Sequence, residues 1–226
     1  MLQNGNGSAP CDFFTAFLIR GEGGIAGMSS ADRENGMSLR VELTSLDQPS
    51  VGGEHRVEWC QSLAEGSVDL QLLTLVDICQ HSNVSGVCDP VIRLAGCRTD
   101  SLRSAAAQSL EGSVQPSVSE VPALIALLSD QSDSEISYWA ATLLGRLGPQ
   151  AVDATQSLCD CLQDSSFLPA KERAAWALME IGPTASDAIP VLQSVCESAP
   201  ARLHLLCHRA MKVIGTMGSL VAQRAA

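Results

Sequence analysis

Four histidines, nine cysteines and one glycine-rich run are the residues of this 226-residue chain whose types could do chemistry. His204 and His208 stand four apart, so a helix would place both imidazoles on one face at the spacing of two metal ligands. A third ligand is not apparent, because Cys207 points elsewhere on the same helix, and the pair reads as solvated. Cys159 and Cys161 are two apart and face different directions on a helix, which suits core thiols rather than a redox pair. The glycines of "RGEGGIAG" precede no strand-to-helix pattern, so no phosphate loop is expected. No Ser/His/Asp or Cys/His grouping can be assembled from the spacing. The sequence therefore predicts no catalytic residue, no metal and no cofactor.

The elements that would carry any site are written in a repeat. "GRLGPQAVDA" at 145–154 and "MEIGPTASDA" at 179–188 are nearly one decapeptide, with Gly148 and Gly182 set 34 residues apart. The register extends outward, pairing Ala140-Ala141 with Ala174-Ala175, Leu144 with Leu178 and Leu147 with Ile181. Ala106-Ala107 and Leu110 fit one period earlier, and Met211, Ile214 and Gly215 fit 33 residues later. Each copy holds two helix-period segments, so one copy is a helical hairpin too small to bury both of its apolar faces alone. Stacked copies cover one another and build a continuous core, which is what a period in the thirties signals. The paired alanines allow close helix approach, and the leucines fill the space between copies. Gly148 and Gly182 are expected in the left-handed conformation that ends a helix, with Pro149 and Pro183 stopping it from running on.

Two further helices are expected upstream. Ser67 is placed to cap "VDLQLLTLVDICQ", with Val68, Leu72, Leu75, Val76 and Cys79 as its apolar stripe, and Asp89-Pro90 is placed to open "PVIRLAGC". Residues 1–52 are rich in Gly, Ser and Asn and are expected to be mostly disordered, with "LRVEL" at 39–43 alternating like a short strand. The domain division is thus 1–52 and 53–226, with a divergent capping hairpin at about 54–80.

The stretches "VPALIALLSD", "SLRSAAAQSLEG", "YWAATLLGRLGP" and "RAAWALMEIGPTASDAIPVL" resemble HEAT repeats, in particular the short bacterial type also found in phycobilisome-lyase-like proteins. The resemblance implies an all-α solenoid of about five hairpins, a superhelix of the HEAT/ARM kind whose second helices line the concave side, and a role in binding other proteins. The family's basic residue early in the second helix falls on Arg103 and Lys171, but on Ser137 and His204 in the other copies, which interrupts any ladder of charges between repeats. Iron-holding hydroxylases of this superfamily use His-Glu dipeptides, and this chain has none. A bilin lyase or its accessory subunit is the other enzyme that the resemblance allows, and an array only 4 % aromatic is poorly suited to cradle a tetrapyrrole.

Composition narrows the partner. A net charge of −11 argues against nucleic acid and anionic membranes, which call for basic surfaces. No apolar run approaches the roughly 18 residues of a membrane span. "FFTAFLI" at 13–19 lacks the basic flank of a signal peptide, and cysteines inside apolar runs suit a reducing compartment, so the cytoplasm is expected. With Ile136, Ala140, Leu143, Leu144 and Leu147 toward the core, Tyr138, Thr142 and Arg146 fall on the opposite side. Their equivalents are Glu172, Trp176 and Glu180, and in the last copy Arg209 replaces Trp176. These seven are the candidate partner-binding residues of a non-enzymatic scaffold. A local register shift that turns Trp176 inward is the competing reading.

Overall fold

The computed structural model describes residues 53–130 and 133–225, with side chains to residue 215. The expectations for 1–52, the short strand at 39–43 among them, lie outside the described residues. Within 53–225 the helices pair into five successive hairpins. These are α1 (Gly53–Glu65) with α2 (Val68–Gln80), α3 (Cys88–Ala95) with α4 (Asp100–Gly112), α5 (Val121–Leu128) with α6 (Ser134–Leu147), α7 (Thr155–Asp164) with α8 (Leu168–Ile181), and α9 (Ile189–Ser198) with α10 (Ala201–Ala225). No strand occurs among the described residues. One isolated bridge, Val84 to Val114, ties the turn after α2 to the end of α4.

One core runs through all five hairpins, from Trp59 and Leu63 in α1 to Leu203 and Ile214 in α10. Ala140, Ala141, Ala174 and Ala175 are fully buried, and α6 and α8 make the most extensive helix pair. The absence of side-chain bulk at these four positions is what lets the two backbones approach. Gly145 extends this close approach, because the ring of Trp176 occupies the space that a Cβ there would need.

The duplicated decapeptide ends one hairpin and begins the next. Gly148 has φ 57° and ψ −132°, and Gly182 has φ 76° and ψ −142°. Both have the expected positive φ, but their ψ lies outside the left-handed helical well, in a region essentially reserved for glycine. Each then starts a 3-10 segment, Gly148–Ala154 or Gly182–Ala188, that leads directly into α7 or α9. Ala151, Ala154, Ala185 and Ala188 are fully buried, so these junctions belong to the core.

The helix starts follow two rules, only one of them local. Ser67 caps α2 as expected, its Oγ accepting from Leu70 N at 3.4 Å, and Asp133 caps α6 by accepting from Glu135 N at 2.9 Å. Asp89 does not cap α3, which begins one residue earlier, and its carboxylate instead accepts from Arg93 Nε at 3.2 Å. The cap comes from the following hairpin, where Glu120 Oε1 accepts from Cys88 N at 2.9 Å while Oε2 accepts from Ser117 N at 2.9 Å. The α2 stripe also departs from expectation. Thr74, Leu75 and Ile78 are buried, whereas Val68 and Val76 are exposed, and Ser109 of α4 reaches Leu75 O on this buried side at 3.4 Å.

Candidate partner-binding face

Tyr138 sits in the first half of α6, and Arg173 and Trp176 sit in the middle of α8, all three half-buried. Arg173 Nη2 donates to the Tyr138 hydroxyl at 2.9 Å. Its guanidinium carbon lies 5.1 Å from the Tyr138 ring centroid and 5.7 Å from that of Trp176, within the range of cation–π attraction to both rings. The edge of Tyr138 also meets Trp139, centroids 5.2 Å apart, and Trp139 is buried. The ordinary α6–α8 packing thus sets two aromatic rings on either side of one arginine. Among the described residues no carboxylate lies within ion-pair distance of Arg173.

The seven residues expected on this face divide into three groups. Tyr138 and Trp176 are brought together, and Trp176 realises both readings, one side of its ring on Gly145 and the other partly open. Glu180 and Arg209 are exposed as expected. Thr142, Arg146 and Glu172 are corrections. Thr142 is only 4 % exposed, and its Oγ1 donates to Tyr138 O at 2.8 Å, one turn back in α6, so its hydroxyl is turned to its own helix and not to a partner. Arg146 is engaged with the backbone, Nη1 donating to Leu110 O at 2.6 Å and to Val114 O at 3.4 Å. It closes the C-terminal end of α4, where helix carbonyls lack partners. Burial lowers the Arg146 pKa, and the neighbouring Arg173 charge lowers it further. Glu172 accepts from Arg202 Nε of α10 at 3.0 Å, which leaves its side chain 13 % exposed.

Arg173 was missed by sequence reasoning. Its signal was the interval of three to Trp176, which puts both on one side of α8. The matched basic pair Arg103 and Lys171 does not form a ladder between repeats. Arg103 Nη2 donates to Cys97 O at 2.7 Å and Lys171 Nζ to Gln163 O at 2.6 Å, each neutralising carbonyls near the end of its own hairpin's first helix.

Asp77 accepts from Trp59 Nε1 at 2.9 Å, with His55 Nε2 at 3.7 Å and His81 Nε2 at 3.8 Å on its two oxygens, an arrangement that holds Trp59 in the first hairpin. His204 and His208 are exposed, and the described residues contain no cluster of three metal-ligating side chains. A cleft of about 470 Å³ beside α5, α6 and α7 is lined by hydroxyls and carboxylates, among them Ser134, Ser137, Asp160 and Asp164, together with Cys161. Burial pushes the Cys161 thiol up to about 11, Lys171 opposing, so it stays protonated at neutral pH.

Stacked helical hairpins with one continuous core, carrying an aromatic and arginine face on their second helices, define an α-solenoid repeat protein. The family description "HEAT repeats" matches residues 89–179 and 121–204, about half of the chain, and the protein belongs to the HEAT-repeat family. Among solved structures it is similar to a designed armadillo repeat protein, YIII(Dq.V1)4CPAF, in complex with the peptide (KR)4. That likeness has a TM-score of 0.50 and 14 % identity, and covers 73 % of this chain and 87 % of the other. At that identity the likeness concerns the fold. No curated protein matches the sequence. Among the described residues no helix is long and apolar enough to cross a membrane.

Proposed function

We infer that this protein is a non-enzymatic interaction scaffold of the cytoplasm that holds a protein partner on its second-helix face, at the layer formed by Tyr138, Arg173 and Trp176. The observation that carries the reading is the state of Arg173. Its guanidinium is oriented by two rings and a phenol oxygen, yet it has no carboxylate partner among the described residues. Half-buried aromatics beside a pre-oriented arginine have the composition of residues that dominate binding energy at interfaces. Orienting the guanidinium in advance reduces the rotamer entropy that binding must remove. The solenoid fold supports the same reading, since it offers an extended surface without enclosing a reaction chamber.

A photo-crosslinking amino acid at Glu180, beside this layer, and at Asp153, an exposed position of the 3-10 segment before α7, tests the reading in cell extract. Adducts that form from position 180, not from 153, and that disappear in Arg173→Ala are expected. Equal labelling from both positions, insensitive to Arg173, would refute it.

A further inference from the structure

The repeat register gives the two ends of the array a meaning of their own. Buried Thr74, Leu75 and Ile78 in α2 repeat the spacing of buried Ser109, Leu110 and Ser113 at the end of α4. Ala106 of α4 in turn aligns with Ala140 and Ala174. Carried through, this register puts Leu70 and Leu73 at the positions of Arg173 and Trp176. In the fourth hairpin those two residues cross to the preceding hairpin, Arg173 to Tyr138 and Trp176 onto Gly145. No described hairpin precedes α1, and Leu70 and Leu73 are 45 % and 67 % exposed. Val76, 53 % exposed, continues the same ridge at the next interval of three.

At the other end, Leu205 occupies the position of Tyr138 and Glu172, which receive the following hairpin. Tyr138 takes Arg173, and Glu172 takes Arg202. Nothing described follows α10, and Leu205 is 56 % exposed on the side opposite the buried stripe of Leu203, Cys207, Ala210 and Ile214. The ends also differ in charge. The first hairpin, 53–80, carries Glu54, Glu58, Glu65, Asp69 and Asp77 against Arg56 alone, whereas the last, 189–215, carries Arg202, Arg209 and Lys212 against Glu197 alone.

We propose that copies of this protein associate head to tail, the Leu70–Leu73 ridge of one copy packing on the Leu205 side of α10 of the next. The contact uses, between chains, the positions that meet where α8 joins α6 inside the chain, with Lys212 of α10 standing in the place of Gly145. It joins an acidic end to a basic one, which favours this pairing over contact between two like ends. Because the two surfaces differ, each contact leaves one of each kind open, and association continues beyond the dimer instead of closing. His208 stands where the equivalent Ala175 is fully buried, so the junction is wider than those inside the array and the association weak. This surface is separate from the Tyr138–Arg173–Trp176 layer and does not depend on the function proposed for it.

Sedimentation velocity of the full chain from about 5 to about 500 µM, a range suited to weak association, reads the effect. The weight-average mass is expected to rise with concentration past that of a dimer, more steeply in low salt. Leu73→Asp and Leu205→Asp, both at exposed positions, should each remain monomeric with unchanged helicity and melting temperature. Mixed one to one, they should recover a dimer and nothing larger, since each variant keeps the surface that the other lost. Leu73→Ser and Leu205→Ser provide the same cycle should an aspartate disturb the fold. A wild-type chain that stays monomeric throughout overturns the proposal. So does a Leu205 variant that still self-associates while the Leu73 variant does not, which would mean pairing of two like ends, and so does a mixture that fails to recover the dimer.

Discussion

The Trp176 ring rests on the backbone of Gly145, in the space that any side chain at that position would need. This contact joins the third and fourth hairpins and supports the half-buried aromatic layer on the second-helix face, so packing and the proposed binding surface share one residue.

Gly145→Ala reads that contact by its sign. An alanine inside a helix ordinarily stabilises relative to glycine, by about 0.4–1 kcal/mol where the backbone permits it. Here it should destabilise by about 1–3 kcal/mol, the usual cost of overpacking. In the Trp176→Ala background the loss should vanish, and urea unfolding of the four proteins gives the coupling directly.

Trp176→Ala should therefore reduce both stability and partner capture. Arg173→Ala should separate them, lowering capture with a small change in melting temperature, because its bonds lie on the outer side of α8. If Arg173→Ala instead unfolds the protein as readily as Leu178→Ala, the arginine is structural.

Leu144 and Ile181 are both fully buried on the stripe that fills the space between copies. Truncation of either to alanine should cost about 2–5 kcal/mol by chemical denaturation, with no enhanced loss at the surface sites.

Glu120 makes stability depend on acid. Burial acts to raise its pKa, but bonds from Cys88 N and from Ser117 outweigh burial and hold the carboxyl below its ordinary value of 4.5. A folded-state pKa below the unfolded one means stability that is present above the unfolded value and lost as pH falls through the folded one. Glu120→Gln should lower stability at pH 7 by about 1–2 kcal/mol, in line with charged hydrogen bonds. It should also flatten the fall in melting temperature below pH 4.5, and an unchanged acid limb would count against this cap.

The cysteines should be slow to alkylate. Burial, first among the causes, pushes Cys159, Cys161 and Cys207 up to about 11. Iodoacetamide at pH 7.5 should leave these three unmodified in the folded protein and label them in guanidinium, as peptide mass spectrometry can show.

The sequence by itself determined the periodicity and therefore the architecture. Apolar residues at helical spacing, alanine pairs and Gly-Pro stops recur every 33 or 34 residues, and each is a local demand that only stacked hairpins satisfy together. Ala140, Ala174, Leu144, Leu178 and Ile181 were legible as core for that reason, and Tyr138 and Trp176 as neighbours on the second-helix face. What the tertiary structure decided are the partners that polar side chains find in other hairpins. Glu120 caps a helix 32 residues upstream, Arg146 closes the end of α4, Glu172 is taken by Arg202, and Arg173 turns between two rings. A long charged side chain can reach any unsatisfied group within several ångströms, and which group lies there depends on how the hairpins stack. Apolar residues announce only that they must be buried, which the period alone can read, whereas hydrogen-bonding groups need one particular partner at one angle. That partner exists only after the hairpins have packed.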